Sequence, residues 1–161
     1  KPLGNGHPIA AVACTQKVAE EFNNGMEFFN TFGGNPVSCA IAKTVLEVIE
    51  DEKLQENSLV VGNFLKTNLK ELSSKYSIIG SVRGQGLFLG VEFVNKQLQP
   101  LAEQADYFIN RMKSYGILLS TDGPDHNVIK IKPPLVFSIQ NAKDFLKYFT
   151  LVLQEDLMQL N

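Results

Sequence analysis

The apolar period of this chain changes near residue 77, and that change limits what it can fold into. Val61, Leu65, Leu69 and Leu72 recur at spacings of four, four and three, the stripe of a helix buried on one side. Lys66, Lys70, Glu71 and Ser74 make its polar face. Residues 78–82 and 87–94 then read as strands, joined by Arg83-Gly84-Gln85-Gly86 as an antiparallel hairpin or bulge. A third helix is expected over about 102–115, with Ala105, Phe108, Ile109 and Met112 inward and Gly116 just past its end. Short β segments come next at 117–119 and 128–131, separated by the turn-rich Asp122-Gly123-Pro124-Asp125. Ser138 caps a final helix that buries Ala142, Leu146, Phe149, Leu153 and Leu157. Helices alternating with strand pairs give a compact α+β domain, helices packed on a mixed or antiparallel sheet.

The first fifty residues read differently. Two Pro and two Gly in residues 1–8 make a loop, and residues 9–14 read as a short buried strand. Thr15 is placed to cap a helix to about Asn23, and residues 26–32 are aromatic-rich and β-prone. Gly33-Gly34-Asn35-Pro36 is a turn that sets Asn35 at N-cap and Pro36 at the first helical position. The helix it opens carries Val37, Ile41, Val45 and Val48 on one stripe, widened by Ala40 and Ile49. This zone has too few strands to close a core, so it is expected to belong to a larger sheet.

Several function classes are excluded early. The 161 residues carry 15 Lys+Arg against 17 Asp+Glu, a net charge of -2, which gives no reason to expect a nucleic acid or an anionic membrane as partner. No apolar run approaches the roughly 18 residues of a spanning helix. Cys14 and Cys39 cannot build a disulfide framework and read as free thiols. His7 and His126 have no ligand partners at metal spacing, so no metal site is expected. His7, in a Gly/Pro loop, reads as a hydrogen-bonding loop residue. Gly4-Asn5-Gly6, Gly33-Gly34 and Gly84-Gln85-Gly86 lack the context of a dinucleotide or P-loop fingerprint and read as turns. Only Arg83 and Arg111 are arginines. Arg111, on a helix face, reads as a surface ion pair. Phe22, Phe28, Phe29 and Phe32 read as core or interface. Lys130 and Lys132 alternate with Ile129 and Ile131 and read as solvated, the alternative being a supporting role toward a phosphorylated substrate.

Three blocks, in order, carry a family resemblance. Lys1-Pro2-Leu3-Gly4-Asn5-Gly6-His7-Pro8 resembles the segment that begins at the cofactor lysine of class III, pyridoxal-phosphate-dependent aminotransferases. Asn30-Thr31-Phe32-Gly33-Gly34-Asn35-Pro36 is similar to the family's T-[FY]-x-G-N-P block, and Arg83-Gly84-Gln85-Gly86-Leu87 to its R-G-x-G-L block. The likeness covers nearly the whole chain. Residues 26–40 and 120–134 are most similar to the alanine–glyoxylate aminotransferase 2-like branch, which includes ethanolamine-phosphate phospho-lyases.

The resemblance implies the C-terminal part of a fold-type I pyridoxal-phosphate transferase, α/β overall. Residues 1–50 would be the end of the large cofactor domain and a connecting helix, and residues 51–161 a small α+β domain. It implies pyridoxal 5'-phosphate as cofactor and a small amine or amino acid as substrate, with transamination or phosphate elimination as the reaction. Lys1 is then the catalytic and cofactor-binding Schiff-base lysine, a role that suits an amine which loses its proton when desolvated. Thr31 is then a cofactor-phosphate ligand across a dimer interface, the alternative being that it only satisfies its turn. Arg83 is then the substrate-anion ligand, its guanidinium fork suited to a carboxylate or a phosphate. A homodimer or dimer of dimers is implied, and a mitochondrial location, with cytoplasmic as the alternative. The acidic residue that pairs the pyridine nitrogen and the aromatic that covers the ring precede the lysine in this family, so this chain alone is expected to be inactive. A non-catalytic α+β binding or dimerisation module is the rival reading.

Overall fold

A computed structural model describes residues 2–159. The chain divides into two compact units, Lys1–Lys53 and Leu54–Asn161. The first holds α1 (Gln16–Phe22) and α2 (Pro36–Asp51). Asn35 caps α2 as its position before Pro36 requires, its side chain accepting from the Ser38 N–H. Ser38, Ile41, Ala42, Val45 and Ile49 form the half-buried stripe, while Val37 and Val48, expected on it, are exposed. Residues 9–14 and 26–32 are not strands. Strand pattern without a neighbouring strand leaves backbone N–H and C=O groups unpaired, so these segments stay irregular. Phe22, Phe28, Phe29 and Phe32 are exposed and not core, although Phe22 and Phe28 meet edge to face at 5.6 Å.

The second unit runs α3 (Leu54–Ser73), β1 (Ile79–Gln85), β2 (Phe88–Phe93), α4 (Ala102–Ser114), β3 (Ser120–Asp122), β4 (Val128–Ile131) and α5 (Ile139–Leu153). Its sheet has the order β1-β2-β4-β3 and every pairing is antiparallel. The alternation of β2 and β4 buries Leu89, Val91, Phe93, Ile129 and Ile131 on one face. Against that face pack Val61, Leu65 and Leu69 of α3, Ala105, Phe108 and Met112 of α4, and Ala142, Phe145 and Phe149 of α5. Phe108 centres this core, 5.2 Å from Phe93 and 4.6 Å from Phe149 between ring centroids. Each large apolar side chain so buried contributes about 1.5–3 kcal/mol.

Local chemistry sets the ends of these elements. Ser138 and Asn141 form a reciprocal capping box at the start of α5. That helix stops at Leu153 instead of continuing to Leu157, which is exposed and not part of the buried stripe; past its end Glu155 accepts from Nε and Nη2 of Arg111 on α4 at 2.8–3.0 Å. Arg111 is thus the ion pair its helical position implies. Asn127, the buried polar side chain among the described residues, donates to the Phe93 carbonyl at 2.8 Å and ties β4 to the end of β2. None of the described helices is long and apolar enough to cross a membrane.

Candidate functional site

Antiparallel register builds a polar face on the side of the sheet away from the helices. One cross-strand row is Ser81, Glu92, Val128 and Asp122; the next is Arg83, Gly90, Lys130 and Ser120. Residues directly opposite share a face, so Arg83 and Lys130 flank Gly90, with Cα atoms roughly 10 Å apart across two strand spacings. Arg83 lies within β1 and not in a connection between strands, as the sequence suggested; the turn falls at Gly86 and Leu87. Gly84 has a φ of 123°, a conformation L side chains rarely adopt, and a Cβ there would sit 2.1 Å from the Phe88 carbonyl oxygen.

Between the two cations lies a cleft of about 340 Å³, lined by Arg83, Phe88, Gly90, Asp122 and Lys130 among others. Each cation leans toward a carboxylate. The Arg83 Nη1 donates to Glu92 Oε2 at 2.9 Å and to the Ser81 hydroxyl at 2.6 Å, and Ser81 donates to the same Glu92 oxygen. Lys130 Nζ donates to Asp122 Oδ2 at 2.8 Å. The Ser81 hydrogen bond holds the Glu92 carboxyl below the usual range, partial burial opposes it, and the Arg83 guanidinium adds to the lowering. Asp122 is lowered by the Lys130 ammonium first and the Gly123 N–H second. Arg83 uses one nitrogen for these bonds. Among the described residues its Nε and Nη2 are not engaged, and its side chain is 55% exposed, so the other edge of the fork is open to a ligand.

The sequence reads Lys130 as solvated, with a supporting role toward a phosphorylated substrate as the alternative. Its alternation with Ile129 put it on one strand face, but only the order β1-β2-β4-β3 shows that this face is Arg83's. Lys132 is exposed and does not line the cleft.

In the first unit, Thr31 opens the turn before Asn35. The Asn30 side chain accepts from the Phe32 and Gly33 N–H groups, and among the described residues neither the Thr31 hydroxyl nor its N–H has a partner. An exposed hydroxyl beside a backbone N–H, held on an ordered turn, is a donor set that fits a phosphate such as that of pyridoxal phosphate. His7 Nε2 meets Ser38 Oγ at 2.9 Å, the loop hydrogen bond its setting implied. Lys1 lies outside the described residues. Among the described residues no cluster of His, Cys, Asp and Glu is suited to a metal.

Comparisons with known proteins bear on the role of this arrangement. Residues 1–153 match the family described as Aminotransferase class-III. A Drosophila melanogaster protein, alanine–glyoxylate aminotransferase 2-like, is 48% identical over 98% of this chain and 33% of its own length. The Caenorhabditis elegans ethanolamine-phosphate phospho-lyase homolog 1 is 44% identical over 88% of this chain and 31% of its own. A solved Arthrobacter phospholyase in complex with phosphoethanolamine superposes with a TM-score of 0.88 at 37% identity, covering 94% of this chain and 36% of that one. The chain therefore spans about a third of the length of the proteins it is similar to.

Proposed function

Because this chain belongs to the class-III aminotransferase family, we propose that the protein it forms part of is a pyridoxal-phosphate-dependent enzyme that eliminates phosphate from a small phosphorylated amine of the phosphoethanolamine type. The observation that carries this reading is the cleft that Arg83 and Lys130 line together from two strands. Two cations face one space, each also paired with a carboxylate; a phosphate monoester, with a charge of about −2 and three terminal oxygens, suits the open edge of Arg83 and competes with Asp122 for Lys130. The phospho-lyase name and the phosphoethanolamine complex among the similar proteins support the same substrate class.

The residues then divide the work. When bound, pyridoxal phosphate supplies an electron sink for the carbon that bears the substrate amine. Thr31 holds the cofactor phosphate through its hydroxyl and N–H, from across a two-fold axis in a homodimer or dimer of dimers. The Lys1 amine would hold the cofactor and, when free, would take the proton from the carbon next to the substrate nitrogen. Arg83 and Lys130 orient the substrate phosphate and stabilise it as its C–O bond breaks and it leaves. Residues 1–50 fall to the large cofactor domain and 51–161 to the small one. A mitochondrial location is supported by the names of the Arabidopsis thaliana and Pongo abelii relatives.

Transamination is the second reading, favoured by the name of the Drosophila relative. It begins with the same proton removal at Lys1 and differs in that the amine is transferred while the phosphate ester stays whole. The full-length enzyme loaded with cofactor and given phosphoethanolamine is expected to release inorganic phosphate with no keto acid added. Amine transfer to an added keto acid, with the phosphate ester intact, replaces elimination by transamination. Neither product would leave the α+β module as the reading.

A further inference from the structure

The row Arg83, Gly90, Lys130, Ser120 has a gap at its centre, and the gap is where the cleft lies. A Cβ built on Gly90 would stand 4.0 Å from Arg83 Cγ and 3.1 Å from Val128 Cγ1, so any side chain there projects between the two cations. We propose that Gly90 is a specificity-determining residue: its missing side chain lets one doubly charged tetrahedral group touch Arg83 and Lys130 at once. This rests on the reading of the cleft as the substrate-anion site.

The carboxylates sharpen the choice. Lys130 is already paired with Asp122, and Arg83 with Glu92. A singly charged planar carboxylate that displaced one of them would exchange like for like and gain little. It has two oxygens, and the open edge of the Arg83 fork satisfies both without reaching Lys130. A phosphate monoester brings a charge of about −2 and three terminal oxygens, enough to outcompete Asp122 at Lys130 while staying on Arg83. Reaching both requires the space over residue 90. A methyl group there separates the two cations and leaves a site that holds a carboxylate as before.

The test uses the full-length enzyme with cofactor bound, so that the cofactor's own phosphate site is filled. Inorganic phosphate and acetate are titrated calorimetrically, and KM and kcat are measured with phosphoethanolamine. For Gly90→Ala, phosphate binding is expected to weaken about tenfold and acetate binding by less than about threefold, as expected when one charge-assisted contact is lost. KM should rise more than kcat falls. If the alanine collides with Val128 and the variant does not fold, Gly90→Ala combined with Val128→Ala removes that contact and is held to the same numbers against Val128→Ala alone. Equal weakening of phosphate and acetate, or no weakening of either, overturns the role of Gly90. Arg83→Met and Lys130→Met separate the two failures. If they lose phosphate binding while Gly90→Ala keeps it, only the Gly90 inference falls. If they too bind phosphate as the parent does, the cleft is not the anion site and both readings fall.

Discussion

Glu92 ties two groups together at the candidate site, accepting from Ser81 and Arg83, and lies in the row next to Arg83's on the same sheet face. Its carboxyl is held below the ordinary value of 4.5 in the folded chain. A carboxylate lowered by folding adds stability that is fully present above its unfolded value and is lost as pH falls through the folded one. Asp122 and Glu155 shift in the same direction, Asp122 through Lys130 and Glu155 chiefly through Arg111. Urea midpoints should therefore hold steady from neutral pH down to about 4.5 and fall below it, and Glu92→Gln should make that fall shallower. An equal slope in wild type and variant would show that Glu92 is no better held in the fold than in the open chain. At this scale the candidates Thr31 and Arg83 stand out in the sequence because short turn and glycine motifs mark them. The sequence names Lys130 only as an alternative to a solvated lysine, because its neighbours across the sheet are set by strand order and not by its neighbours in sequence.

At the level of elements, α3 and the β1–β2 hairpin meet backbone to backbone. A Cβ on Gly62 would fall 2.1 Å from the Gly86 carbonyl oxygen, closer than any packing tolerates. Lys66 Nζ donates to the Gly84 carbonyl at 2.7 Å, and the Ser58 hydroxyl accepts from the Leu87 N–H at 3.1 Å, so one helix face holds the whole turn. Gly62→Ala should push the hairpin off the helix and cost about 1–3 kcal/mol, read as a lower denaturant midpoint. A midpoint unchanged within about 0.5 kcal/mol would mean the turn shifts without resistance. The helices were readable because caps and 3.6-residue stripes are local signals; Asn35 and Ser138 cap where the sequence placed them. The expected strand over residues 9–14 failed for the opposite reason. A strand exists only beside a partner, and among the described residues of the first unit there is none.

Taken as a whole, the molecule is uneven in how it uses its apolar side chains. Every residue of the core cluster lies between Val61 and Met158. In the first unit Gly4 is the buried residue among those described, while Val12, Met26, Phe28, Phe29 and Phe32 are more than two-thirds exposed. A chain beginning at Leu54 should therefore unfold cooperatively, with a thermal midpoint within about 4 °C of the 161-residue chain, the shift that about 1 kcal/mol produces in a domain of this size. Loss of the cooperative transition on this truncation would place part of the stabilising core in residues 1–53. The exposed phenylalanines carry a further consequence for the isolated chain. Apolar patches of this kind adhere to one another. What limits such a chain in solution is then the frequency of its collisions, and strengthening the sheet or its helices would do nothing to slow its loss.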